Sequence, residues 1–164
     1  MSTNETAAAC STDMIGKMEV GLETALKEIF ATMFRNEANV IPHMEVIDAP
    51  RISSVVGFTG RLSGMLGMHF SAEMACNVAS GLLGMPVTQV DENVRDAIGE
   101  LSNMLAGGLK KQLSSTDNMF KISIPTIVSG LEYSMHAPTN ARQLWMGIAA
   151  GQCRFKIQLV LEQK

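Results

Sequence analysis

Apolar residues recur at helical spacing in three stretches of this chain. Over residues 15–34 they fall three or four positions apart, which is typical of a helix that packs on one side. A second helix is predicted to begin after Ser71, a good N-cap residue, and to end at Gly84. A third is predicted from about 92 to 112, because Asp91 can cap its start and two lysines lie near its end.

Strands are predicted where apolar and polar residues alternate between glycine or proline positions, over residues 43–48, 52–58, 62–70, 120–128, 144–149 and 154–161. The second and third of these form a hairpin that turns near Gly60, and Pro125 implies an edge or a bulge in the fourth. Helices and strands come in blocks. This order predicts an α+β fold, a largely antiparallel sheet with helices packed on one face.

The length and composition predict one domain. The chain has 164 residues, of which 46% are apolar, enough for a sizeable core. Residues 1–13 are small and polar, so we expect a disordered N-terminal segment and a domain over residues 14–164.

Several partners and locations are disfavoured. The net charge is −3 with scattered lysines and arginines, so nucleic acid is not expected. No apolar run reaches about 18 residues and the polar N-terminus is no secretory signal, so no membrane segment is expected either. Three cysteines without C-x-x-C spacing indicate a reducing cytoplasm, and the three histidines are not spaced as metal ligands.

The third predicted helix carries an unusual polar face. At about 100° per residue, Asp96, Glu100, Asn103 and Gly107 fall within roughly 40° of one direction. The opposite side is a dense apolar stripe, formed by Val94, Ile98, Leu101, Leu105 and Leu109. Glycine costs about 1 kcal/mol relative to alanine inside a helix. The face is therefore either ordinary solvated surface or a surface that another molecule approaches closely.

The residue types on this face favour orientation of a water molecule over acid–base catalysis by paired carboxylates. Asp96 and Glu100 are predicted on an exposed surface without apolar neighbours, so a glycosidase-like acid–base pair fits poorly. An amide such as that of Asn103 both donates and accepts, and can hold a water in line for attack on an acyl phosphate. A neighbouring carboxylate can pair with a cation on a partner.

At these residues the sequence resembles the CheC/CheX/FliY family of chemotaxis phosphatases. The family signature is Asp or Ser, three residues, Glu, two residues, Asn, about twenty-two residues and Pro. Here it reads Asp96, Glu100, Asn103 and Pro125, with 21 residues between the last two. The segment 99–107 and the single copy of the motif are similar to the CheX branch, whereas CheC-like members usually carry two copies.

The resemblance implies dephosphorylation of a phosphorylated CheY-type response regulator. Asn103 would orient the attacking water and Glu100 would pair with the regulator's lysine, with Asp96 supporting the contact and Gly107 easing close approach. Mg²⁺ would belong to the partner, so this chain is expected to need no cofactor or metal of its own. The family also implies a homodimer formed through a shared sheet edge, which the strand-rich C-terminal third could supply. The alternative is a non-enzymatic adaptor that docks on receivers, or a relative of the flagellar switch.

Overall fold

The computed structural model describes residues 3–46, 49–113 and 120–162, with side chains from Asp13 onward. Three α-helices are present in these ranges: α1 (Thr3–Ile29), α2 (Ala72–Leu83) and α3 (Glu92–Gln112). A short π-helix (Phe30–Phe34) follows α1, and a 3-10 turn spans His43–Glu45. The strands are β1 (Ala38–Ile41), β2 (Ile52–Gly60), β3 (Gly64–Phe70), β4 (Phe120–Ile122), β5 (Thr126–Ser129), β6 (Arg142–Ala150) and β7 (Cys153–Leu161).

The seven strands form one sheet in the order β1-β6-β7-β3-β2, with β4 and β5 following one another along the far side of β2. Every pairing is antiparallel. β6 and β7 pair along their whole lengths and lie inside the sheet, whereas β1 and the β4/β5 pair lie at its two edges.

All three helices pack on the same face of the sheet. α3 contacts α1, α2 and β2, so it is the central element of the helical layer. The strands present alternate apolar residues to this layer, as β2 does with Ile52, Val56 and Phe58. α1 and α3 approach closely, because a Cβ at Gly108 would lie 2.8 Å from the Cβ of Ala25. The core therefore lies between the helices and one sheet face.

Most of the predicted architecture is confirmed. The α+β class, the three helix stripes and the antiparallel sheet with helices on one face are all present. The hairpin predicted near Gly60 joins β2 to β3. Pro125 separates β4 from β5 at the sheet edge, where a residue without an N–H interrupts the strand.

Three expectations differ from the structure. The segment 1–13 was expected to be disordered, yet α1 begins at Thr3, since a run of alanines continues a helix already fixed by packing. Instead of a strand over 43–48, the structure has the His43–Glu45 turn, and residues 47–48 lie outside the described residues. The short edge strand β1 was not predicted, because four residues are too few for a periodic signal.

Candidate functional site

The helix α3 is positioned by its cap and its buried side. The Asp91 side chain accepts a hydrogen bond from the Val94 N–H at 3.1 Å, as predicted for its N-cap. The five apolar residues predicted to pack are all fully buried: Val94, Ile98, Leu101, Leu105 and Leu109. The opposite side of the helix therefore faces solvent.

A buried serine fixes α3 against the sheet directly beside Asn103. The Ser102 hydroxyl, 1% exposed, donates to the Ile98 carbonyl at 2.9 Å. Its oxygen makes a short hydrogen bond with the Ser54 hydroxyl of β2 and lies 3.4 Å from the Met68 sulfur of β3. This contact holds the helix in one register over the sheet. Ser102 is not among the residues predicted from the sequence, although a serine within an apolar helix stripe is a recognisable signal.

The predicted site residues lie together on the exposed side of α3. Asp96, Glu100, Asn103 and Gly107 are all exposed. The rise of an α-helix puts Glu100 and Asn103 about 4.5 Å apart along the axis. Together the four residues form one polar strip on a convex surface, which we call the α3 face.

The polar groups of the α3 face are not used within the described part of the chain. Asp96, Glu100 and Asn103 form no side-chain hydrogen bond or ion pair with any other described residue. In contrast, Glu92 on the same helix pairs with Arg95 at 3.0 Å. The carboxylate and amide of the α3 face are therefore available to another molecule.

Two adjacent glycines on α3 have different surroundings. A Cβ at Gly108 would crowd Ala25 of α1, so that glycine permits close helix packing. A Cβ at Gly107 would meet nothing within 4 Å. No packing contact in the described structure explains why Gly107 lacks a side chain.

Pro125 lies at the sheet edge in a segment that is anchored to β2. Ser123 donates its N–H to the Gly57 carbonyl at 2.8 Å, and its hydroxyl oxygen accepts from the Gly57 N–H at 2.9 Å. Ile124 projects outward with 85% exposure. On the far side of Pro125, Ile127 of β5 reaches α3, because its terminal carbon would lie 3.8 Å from a Cβ at Gly99. The segment therefore borders the helix that carries the predicted site.

A second polar group lies on the sheet face opposite the helices, which we call the open face. The Ser53 hydroxyl lies 2.8 Å from His69 Nδ1 and 2.7 Å from the Tyr133 hydroxyl. His69 Nε2 lies 3.2 Å from the Gln158 side-chain carbonyl, and Gln158 donates to Gln143 at 3.0 Å. We call these five residues the open-face chain; sequence reasoning missed it as a connected set.

Burial favours the neutral form of His69, and the open-face chain fixes which ring nitrogen carries the proton. Nε2 faces an acceptor and so carries the proton, which leaves Nδ1 to accept from Ser53. Burial lowers the pKa of His69; the hydrogen bond to Gln158 opposes this, and the charge of Lys156 lowers the pKa further. His69 thus serves the packing of this face.

The remaining candidate groups carry no separate site. In the parts of the chain that are described, no group of three or more His, Cys, Asp or Glu side chains is placed to hold a metal ion. Burial raises the thiol pKa of Cys76, as does the nearby charge of Asp91, and burial also raises that of Cys153. None of the helices described is long and apolar enough to span a membrane.

The fold and the α3 face define a class of protein: a single α+β domain that presents carboxylates and an amide on the exposed side of a packed helix. A family model described as "Chemotaxis phosphatase CheX" matches residues 52–149, more than half of the chain, and the protein belongs to this family. The matched region contains β2 to β5, α3 and most of β6.

One curated relative is similar in sequence, and two solved structures share the fold. Over 93 residues the chain is 39% identical to the CheY-P phosphatase CheX of Thermotoga maritima, an alignment that spans 56% of this chain and 59% of that protein. The crystal structure of chemotaxis protein CheX from Vibrio vulnificus is similar with a TM-score of 0.77 at 21% identity, over 88% of this chain and 96% of that one. A chain of the CheX-CheY-BeF₃-Mg²⁺ complex from Borrelia burgdorferi matches with a TM-score of 0.68 at 17% identity, over 90% and 97%.

Proposed function

We propose that this protein hydrolyses the aspartyl phosphate of a CheY-type response regulator. The observation that carries the proposal is the α3 face, where Glu100 and Asn103 are exposed and form no side-chain bond with the described residues. Membership of the CheX family and the relative named a CheY-P phosphatase support it. So does the Borrelia burgdorferi complex, in which a protein of this fold is bound to CheY.

In this proposal Asn103 orients the attacking water. When α3 docks on the regulator, the amide oxygen accepts a hydrogen bond from a water molecule and directs its lone pair towards the phosphorus. The water oxygen then forms the new P–O bond while the bond from phosphorus to the aspartyl oxygen breaks. The products are inorganic phosphate and the free carboxylate of the regulator.

In this proposal Glu100 binds the regulator through an ion pair. Its carboxylate lies about one helical turn from Asn103 and can pair with a lysine ammonium beside the phosphorylated aspartate. That pair fixes the register of α3, and so places the Asn103 amide. Mg²⁺ would be held by the regulator, where it neutralises charge on the phosphoryl group.

The other two residues of the α3 face have lesser roles in this proposal. Gly107 lies on the same side as Asn103, one turn further along, and without a side chain it allows the partner's backbone to approach. Asp96 lies one turn before Glu100 and supports the contact at its margin. Neither residue acts on the phosphoryl group.

A non-enzymatic receiver-docking adaptor, or a module related to the flagellar switch, is the alternative. Docking alone requires an exposed helix but no amide at a fixed place beside a carboxylate. The adaptor would bind phosphorylated receivers and leave the lifetime of the phosphate unchanged.

The test is phosphate release from purified CheY-type receivers phosphorylated with a small-molecule donor. Wild-type protein is expected to shorten the phosphate lifetime, and Asn103→Ala and Glu100→Ala are expected to abolish most of that effect. Asn93→Ala is the matched control, since Asn93 is an exposed amide on the same helix, about 15 Å from Asn103 along the axis. Unchanged rates in both test variants would refute the proposal, and binding without faster release would establish the adaptor.

Two further expectations belong to this proposal. A homodimer formed through a sheet edge would use β1, the β4/β5 edge or the part of β6 over residues 143–146, because β1 pairs with β6 only from Gly147 to Ala150 and β7 lies between β6 and β3. A cytoplasmic location is expected because the proposed substrate is a response regulator. Light scattering and cell fractionation test these points separately.

A further inference from the structure

The open face of the sheet carries a cleft of about 280 Å³. It lies on the opposite side of the sheet from α3, so it is separate from the proposed phosphatase site. The lining residues include His69 of β3, Trp145 of β6, Arg154 and Lys156 of β7, and Tyr133 from a segment that crosses this face. The volume is near the lower end for sites that enclose small organic molecules, roughly 300 Å³ and above.

The walls of this cleft are fixed before any ligand arrives. Tyr133 is tied to β2 by its hydrogen bond to Ser53, and the Arg51 guanidinium donates to the Leu131 carbonyl in the same segment. On the other side, the chain crosses over Gly147, where a Cβ would lie 2.8 Å from the Ile41 carbonyl oxygen. A cleft whose walls are already held loses little entropy on binding.

The charged side chains among the described lining residues of the cleft are both cations. Arg154 and Lys156 alternate along β7 and so point to the same face of the sheet. Neither forms an ion pair with a residue in the described ranges, and the lining residues among those ranges include no carboxylate. Two cations beside a partly apolar cleft attract an anion.

Its apolar part is aromatic. The rings of His69 and Trp145 have centroids 5.5 Å apart, and Tyr133 lines the same cleft. Trp145 is half-buried, so one side of the indole remains accessible. A planar ring can pack against such side chains while its charged group reaches β7.

We propose that this cleft binds a small organic anion, a carboxylate or phosphate monoester that bears a planar ring. Arg154 and Lys156 hold the charged group, and Trp145 and Tyr133 contact the ring. The inference does not depend on the proposed phosphatase activity.

Trp145 is the one tryptophan of the chain, so its fluorescence reports on the cleft directly. Phenyl phosphate and benzoate serve as probes of the two anion classes. Inorganic phosphate and benzyl alcohol separate the contribution of charge from that of the ring. Saturable quenching by at least one ring-bearing anion, weaker with the two partial probes and reduced by added salt, is the expected result.

The variant Arg154→Gln/Lys156→Gln is expected to weaken that binding at least about tenfold. Lys121→Gln, an exposed lysine on β4, is the matched control and is expected to bind as the wild type does. Phosphate release from a receiver should be unchanged in the double variant. If neither ring-bearing anion quenches saturably, or if benzyl alcohol binds as tightly as they do, or if the double variant keeps full affinity, the proposal is overturned.

Discussion

Polar side chains occur in two prominent groups in this protein, and the groups are used differently. On the open face, Ser53, His69 and Gln158 are buried and bonded to one another. On the α3 face, Glu100 and Asn103 are exposed and bonded to none of the described side chains. Both groups lie on regular elements of the same domain.

The two groups of polar side chains differ in what they can do: the buried group stabilises the fold, and the exposed group is available to bind another molecule. A buried polar group is costly unless its hydrogen bonds are made, so the open-face chain must be complete within the fold. An exposed group on a rigid helix is hydrogen-bonded to water and can exchange that water for a partner. Substitutions should therefore affect stability in the first group and activity in the second.

The largest contrast is expected between the neighbours Ser102 and Asn103. Asn103→Ala should lower the rate of phosphate release by about 100-fold, because in the proposed mechanism the water loses its orienting group, with the free energy of unfolding unchanged within roughly 0.5 kcal/mol. Ser102→Ala should cost about 1–3 kcal/mol of stability, because it leaves the fully buried Ser54 hydroxyl without its partner. Phosphate release and urea denaturation measure the two effects. A large loss of stability in Asn103→Ala would contradict the distinction.

Gly107 and Gly108 provide a second matched pair. Gly108→Ala is expected to destabilise the protein by about 1–3 kcal/mol, since the new Cβ would lie 2.8 Å from that of Ala25. Gly107→Ala should stabilise α3 by up to about 1 kcal/mol, because nothing within 4 Å opposes the added methyl group.

The same Gly107→Ala variant should raise the KM for a phosphorylated receiver, because the added methyl group would lie where the proposal places the partner. Thermal denaturation and steady-state phosphate release measure both effects in each variant. A stabilised Gly107→Ala protein with an unchanged KM would show that the partner does not contact this part of α3.

The α3 face could be predicted from sequence because its signals are local. The cap at Asp91, the apolar stripe and the spacing from Asp96 to Asn103 all lie within one helix, where the period of 3.6 residues fixes which side chains share a face. The position of α3 at the centre of the helical layer could not be predicted in this way, because it depends on how the strands are arranged in the sheet. Ser102 shows this, because its partners Ser54 and Met68 come from two other strands.

The open-face chain could not be predicted, because it joins residues far apart in the chain. Ser53 and His69 are 16 positions apart, Ser53 and Tyr133 are 80 apart, and His69 and Gln158 are 89 apart. The strand order brings Ser53, His69 and Gln158 together, and the segment between β5 and β6 adds Tyr133. The helical start of α1 was missed for a different reason, since a polar composition was taken as disorder although alanine favours the helix.

The open-face chain predicts a dependence of stability on pH. Burial lowers the pKa of His69 in the folded state. Below about pH 6.5, His69 is therefore protonated more readily in the unfolded chain than in the folded protein. This contribution is complete above about pH 6.5 and is lost as the pH falls through the lowered pKa. Urea denaturation between about pH 5 and 7.5 should show the loss, and His69→Gln should flatten that part of the curve. His136→Gln, at an exposed position, is the control; equal slopes in all three proteins would exclude His69 as the cause.

The smallest effect is expected at Asp96, the member of the α3 face furthest from Asn103 on the N-terminal side. An exposed carboxylate at the margin of an interface contributes little, so Asp96→Ala should slow phosphate release by less than about threefold. Asp96→Ser should match the wild type, because the family signature accepts either residue at this position. A loss in Asp96→Ala as large as that in Asn103→Ala would place the carboxylate beside the phosphoryl group. The order of importance along α3 would then have to be reversed.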